Sequence, residues 1–251
     1  MMVSENLRYE LTDRIGVFTL CGSPGNLLPA PDFLDPETLT AILERDEPKG
    51  LIIHGAGRNF SAGADLSKLY SQSEDPGNLH YRMDRGASTL SIIENLDIPV
   101  IAAINGICFG GGLEIALACH IRIAAANALF AFPEVNHNLI PGLGGIKRTD
   151  ALTTKISALI LILGGDMVNA EEALKLGIVD RLAPANAARE EGLKLMMKMT
   201  SGRSLRVIKA VMRTLNNVGK LTPADAYAEE IRSFCSLAAA ELLRRKTEEC
   251  S

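Results

Sequence analysis

The sequence predicts an α/β fold: a mainly parallel sheet with helices on both faces, finished by a helical C-terminal region. Three observations carry this. Gly50-Leu51-Ile52-Ile53-His54 and Pro99-Val100-Ile101-Ala102-Ala103-Ile104 are short and apolar without alternation, so both of their faces need cover. Helical stretches separate such runs. From about residue 144 onward the pattern is mostly helical. The chain has 251 residues, 47% of them hydrophobic and 22% charged, which supports a real core and excludes a disordered chain. Aromatic residues make up only 4% and Trp is absent, while glycines number 22, so the core must be aliphatic and closely layered.

Taken in order, residues 7–20 alternate as Leu7, Tyr9, Leu11, then Ile15, Val17, Thr19 around Asp13-Arg14, a β-hairpin. Residues 22–34 are rich in Gly and Pro and read as a loop. Asp35-Pro36 is an N-cap followed by a proline at the first helical position, opening a helix to about Arg45. The strand at 50–54 runs through Gly55-Ala56-Gly57 into a loop ending at Asp65. Residues 80–95 fit a helix with Met83, Ala87, Leu90 and Ile93 on one face. The strand at 99–104 is followed by Asn105-Gly106, Gly110-Gly111-Gly112 and a helix from Leu113 to Cys119. Short strands are expected at Ile121–Ala124, Leu129–Phe132 and Gly177–Asp180. Helices are expected at 170–176, 189–199, 203–216 and 223–245. We divide the chain into a core over residues 1–185 and a C-terminal helical region over 186–251.

Several functional classes are disfavoured at once. Twenty-six basic against 30 acidic residues give a net charge of −4, unlike a nucleic-acid binder working by bulk charge. No apolar run approaches the roughly 20 residues of a membrane span, and Met1 to Asn6 has no leader-like pattern. Cys21, Cys108, Cys119, Cys235 and Cys250 are scattered without a CxxC pair, which reads as reduced thiols in a cytoplasmic protein. His54, His80, His120 and His137 lack metal-ligand spacing, so no metal is expected.

The glycine loops narrow the chemistry. Gly110-Gly111-Gly112 follows a strand and opens a helix, where free N–H groups and the positive dipole end suit an oxyanion. A GxGxxG pattern from Gly110 fails at Ile115, and Gly219-Lys220-Leu221 is not a phosphate-loop triplet. Asn59-Phe60-Ser61-Ala62-Gly63 approaches a serine-hydrolase elbow, but its first glycine is missing and no histidine follows His137. Taken singly, each loop is also explained as a plain tight turn. Glu114 stands in the first turn of a helix among Leu113, Ile115, Ala116 and Leu117, and Glu134 follows Phe132-Pro133. Carboxyl groups in apolar surroundings favour their neutral form, and two facing one cavity can supply an acid and a base. Either one alone is also explained as a solvated helix-start or turn residue.

Together these segments resemble the signatures of the crotonase family, the enoyl-CoA hydratase/isomerase superfamily: residues 55–66, then Asn105-Gly106 through Glu114, then Phe132-Pro133-Glu134-Val135 with Leu139-Ile140-Pro141-Gly142-Leu143-Gly144-Gly145. The similarity runs from about residue 7 to about residue 216. It implies a spiral of ββα units and a C-terminal region that forms a homotrimer or a dimer of trimers. It also implies that the backbone N–H groups of Ala64 and Gly111 form an oxyanion hole for a thioester carbonyl. Ala62, Asp65, Leu66, Phe109, Gly110, Pro133 and Gly142 would contact the substrate. The hydratases of the family carry two glutamates, here Glu114 and Glu134; Glu134 would be the main acid/base and Glu114 would orient the water. Coenzyme A would enter only as part of an acyl-CoA substrate, with no separate cofactor.

The sequence departs from the family pattern at His120, usually Asp, and at Ala131 and Asn138, usually Gly. Asn tolerates left-handed backbone, and His120 reads as structural. Gly25 to Pro31 replaces a longer loop that touches adenine, and the sequence ends at Ser251 without the family's aromatic-and-lysine tail. An acyl carrier protein thioester is therefore an alternative substrate. The alternatives to hydration are isomerisation or racemisation through the same enolate; a non-catalytic binding protein is disfavoured by the intact glutamate pair.

Overall fold

The computed structural model describes residues 1–249, and Cys250, counted above among the thiols, lies outside them. Strands β1 (Met2–Ser4), β2 (Leu7–Thr12) and β3 (Ile15–Leu20) form an antiparallel meander. Asp13 and Arg14 join β2 to β3 with φ of 50° and 61°. Two left-handed residues give the turn whose twist matches the flanking strands. Helix α1 (Pro36–Asp46) starts at Asp35, whose carboxylate accepts from the Thr38 N–H. Strand β4 (Gly50–Gly55) pairs parallel with β3.

Two helices follow. Helix α2 (Leu66–Gln72) falls in a stretch for which the sequence suggested no element, and α3 (Pro76–Glu94) starts four residues before the expected helix. Both begin at an aspartate, Asp65 and Asp75, each accepting from two backbone N–H groups. Next come β5 (Val100–Ile104), β6 (Ile107–Phe109), α4 (Gly111–Ala118), β7 (Ile121–Ala125) and β8 (Leu129–Ala131). A 3-10 turn over Pro133–His137 leads to α5 (Gly145–Leu152) and α6 (Lys155–Gly164). Asn138 closes that turn at φ 56°, the left-handed geometry expected of it.

The chain continues through β9 (Val168–Asn169), α7 (Ala170–Lys175) and β10 (Arg181–Ala183), and ends in α8 (Ala188–Thr200), α9 (Leu205–Asn217) and α10 (Pro223–Glu249). The strand expected at Gly177–Asp180 is corrected to Arg181–Ala183. Ile178 and Val179 are apolar because they plug the core beneath a loop. Asp180 is turned toward β7, where its carboxylate accepts from the Arg122 N–H and guanidinium.

The main sheet runs β1-β2-β3-β4-β5-β7-β10, parallel from β3 onward, and a small sheet runs β6-β8-β9. Twice a strand of the first is followed by a short strand of the second and then a helical segment: β5-β6-α4, and β7-β8 with the 3-10 turn. One face of the large sheet carries the main core with α1, α3 and α4. On the other, α8 buries Ala188 and Met196 against Ile52, Ile101 and Ala103. Helix α9 packs Ile208 onto the main core. Helix α10 packs on α9 and leaves Tyr227, Ile231, Phe234 and Leu243 exposed, Phe234 at 72%.

Candidate active site

The site is built where the two sheets meet. The loop after β4 runs alongside β6: Ser61 N–H donates to Ile107 O at 3.0 Å, and Phe109 N–H donates to Ser61 O at 2.9 Å. This parallel bridge sets Ser61 opposite Cys108. Three residues further along each segment stand Ala64 and Gly111. Neither of their N–H groups donates a hydrogen bond among the described residues. At Gly63, with φ 93°, the segments leave no room for a side chain; a Cβ there would meet Phe109 O at 2.9 Å and Gly111 N at 3.6 Å. The loop is anchored from behind by buried Asn26, whose Nδ2 donates to Ala56 O and Asn59 O.

Ala64 and Gly111 both line a cavity of about 220 Å³. Its wall includes Ala64, Asp65, Leu66, Gly111, Glu114, Glu134 and Gly142, all singled out from the sequence. Leu28, Leu69, Tyr70, Leu79, Met83 and Leu143 are among its apolar lining residues. The other four expected contacts, Ala62, Phe109, Gly110 and Pro133, do not line this cavity but belong to the backbone segments that hold its wall. Ala62 N–H donates to Gly25 O, Phe109 lies in β6, Gly110 N–H donates to Ala131 O, and Pro133 opens the turn that carries Glu134.

The two carboxyl groups are held differently. Glu114, 2% exposed, accepts at Oε1 from Leu143 N–H at 2.6 Å and Gly145 N–H at 2.8 Å. Burial raises its pKa, opposed by those two bonds and by the nearby Arg148 charge. Glu134 is half-buried, and its Oε2 is shielded yet has no partner among the described residues. Burial, with a smaller push from the Glu114 charge, lifts its pKa to about 7. One carboxyl is therefore fixed and the other is free to change its proton near neutrality, the arrangement that acid–base work needs. Among the described residues no group of three His, Cys, Asp or Glu is placed to hold a metal ion.

His120 lies at the far end of α4, where Nδ1 accepts from the Val100 N–H at 3.0 Å. The sequence reading missed the turn at 142–145 as the holder of Glu114, and with it Arg148. Gly142-Leu143-Gly144-Gly145 was the available signal.

Comparison with known proteins follows the same lines. The family model for enoyl-CoA hydratase/isomerase matches residues 37–246. A probable enoyl-CoA hydratase of Bacillus subtilis is 36% identical over 207 residues, 80% of this chain and 78% of that protein. A crotonyl-CoA hydratase of Syntrophomonas wolfei is 32% identical over 232 residues, 89% of this chain and 86% of that one. The crystal structure of an enoyl-CoA hydratase from Bacillus anthracis superposes with a TM-score of 0.83 at 27% identity, covering 98% of this chain and 97% of that one. Longer relatives are matched only in part: the chain spans 31% of a peroxisomal multifunctional protein of Arabidopsis thaliana and 23% of a fatty acid oxidation complex α subunit of Shewanella frigidimarina.

Proposed function

The chain belongs to the enoyl-CoA hydratase/isomerase family, and from that premise we propose that it hydrates 2-enoyl-CoA thioesters to 3-hydroxyacyl-CoA. The observation that carries this reading is that Glu114, Glu134, Ala64 and Gly111 share one cavity wall, and that the N–H groups of Ala64 and Gly111 donate no hydrogen bond among the described residues. In the proposed reaction the Glu134 carboxylate takes a proton from water, and the hydroxyl adds to the β-carbon. The electron pair of the double bond moves to the thioester oxygen as an enolate. The Ala64 and Gly111 N–H groups stabilise that oxygen; removing one such donor costs about 3 kcal/mol of barrier. The α-carbon then takes back the proton from Glu134. Glu114, with one oxygen tied to the 143–145 turn, orients the water with the other.

The apolar wall supports an acyl chain beyond the thioester, and two relatives named as hydratases support the reaction. Coenzyme A enters as the carrier of the substrate; a carrier-protein thioester would use the same site. Isomerisation needs only the oxyanion pair and one mobile carboxyl, and an unpartnered Glu134 Oε2 beside the cavity is compatible with it. We further propose a homotrimer, supported by apolar side chains left open on α6 and α10, Ile156 at 70% and Phe234 at 72%. The free thiols Cys21, Cys108, Cys119 and Cys235 support a reducing, cytoplasmic setting.

The test is a panel of enoyl-CoA and enoyl-pantetheine substrates of short, medium and aromatic type, followed by loss of enoyl thioester absorbance. Saturable hydration is expected. α-Deuterium exchange without net hydration would transfer the assignment to isomerisation, and no turnover of any member would end the proposal.

A further inference from the structure

We infer that Arg148 is the positioning residue for the Glu114 carboxyl, acting through the Leu143–Gly145 turn. The guanidinium is nearly enclosed, its side chain 6% exposed. Nη1 donates to Leu143 O at 2.7 Å, and Nε and Nη2 donate to Glu94 Oε2 at 3.2 and 2.9 Å. Leu143 is thus divided: its C=O takes Arg148 and its N–H gives to Glu114. The glycines make room on both sides. A Cβ on Gly144, itself at φ 95°, would stand 2.5 Å from Arg148 Nη1. A Cβ on Gly145 would stand 3.0 Å from Glu114 Cγ. The guanidinium and the carboxyl therefore grip one turn from opposite sides, and Glu94 on α3 anchors the guanidinium.

The physical consequence is directional. A turn closed by glycines is flexible in isolation. A planar fork bound at three points removes that freedom and fixes the two N–H vectors that hold Glu114. Without the fork, Glu114 keeps its partners but not their direction. A misplacement of about 1 Å is enough to cost ~100-fold in rate. Arg148 does not line the cavity, so its effect on turnover passes through Glu114. That part of the inference rests on the hydratase reading; the placement of the carboxyl does not.

The experiment has one arm for each. Backbone amide signals of Leu143 and Gly145 are recorded by NMR in the free protein, in Glu114→Gln, in Arg148→Met and in Glu94→Gln. We expect Arg148→Met to move both signals toward their positions in Glu114→Gln, and Glu94→Gln to move them the same way by less. Glu94 is partly solvated, so Glu94→Gln serves if Arg148→Met does not fold. Unchanged signals in the folded variants would overturn the inference. In turnover, Arg148→Met is expected to lower kcat ~100-fold with KM little changed. The same change made on top of Glu114→Gln should add almost nothing, because residues that act as a unit are non-additive. Full additivity would mean a general structural role and would also overturn it. If the wild-type protein hydrates nothing, the hydratase reading falls while the amide signals still decide the placement.

Discussion

A methyl group on Gly110 would stand 2.7 Å from Oε1 of Glu134. Gly110 also has φ 50° and ψ −123°, a region that L side chains avoid. The residue that caps α4 therefore also sets the space left to a carboxyl on another segment. Gly110→Ala is expected to cost on the order of 1–3 kcal/mol of stability from backbone strain and to displace Glu134. Urea denaturation should show the first effect, and a lowered kcat on crotonyl-CoA the second. Wild-type values for both would contradict this account.

The pH profile tests the raised carboxyl. As a base, Glu134 must be ionised, so kcat/KM should fall about tenfold per unit as pH drops below about 7. Part of that elevation comes from the Glu114 charge, so in Glu114→Gln the residual activity should keep its acid limb at a lower pH. A limb that stays in place would remove the coupling between the two carboxyls.

Glu134→Gln separates function from stability. Turnover should fall by about 10² to 10⁴, the usual worth of a positioned proton-transfer group. Stability should move the other way. The folded pKa of about 7 lies above the ordinary 4.5, so the Glu134 contribution is complete below pH 4.5 and is lost as pH rises toward 7. Gln has no proton to lose. Its Tm relative to wild type should climb between pH 4.5 and 7 and level off above. A constant difference across that range would mean that the carboxyl is not desolvated in solution.

Light scattering tests assembly. Three times the 26.9 kDa chain is expected, or a doubling of that mass. Ile160→Asp combined with Phe234→Asp places charges on two open apolar faces and should release monomers. A wild-type protein at monomer mass would remove the trimer proposal.

Much of this was legible in the sequence because the informative signals are local. The Asp35-Pro36 start, the hairpin alternation and the apolar strands all appear in the structure where the sequence put them. The three glycine-bearing segments do come together on one cavity. What escaped was either short or non-local. Strand β6 has three residues and exists only because Ser61 and Ala131 flank it with partners. Helix α2 was hidden because Asp65 looked like part of a ligand loop, and its capping role takes the same carboxylate. Asp75-Pro76 repeats the Asp35-Pro36 signature and could have given the true start of α3. Residues 177–180 looked like a strand because core-plugging side chains are apolar whatever the backbone does. Arg148 reads as one more helical cation until Glu94, 54 positions away, is placed beside it.

The pairing of Ser61 with Cys108 leaves Ala64 and Gly111 the same number of residues downstream. Two equal tethers leave one rung, and both ends line the same cavity. One residue inserted on either tether would offset the two N–H groups by about the 3.3 Å rise of a strand residue, while every side chain named here remained in the sequence. The spacing is therefore as much a part of this site as the glutamates, and a scan of single-residue insertions would detect it where a scan of substitutions would not.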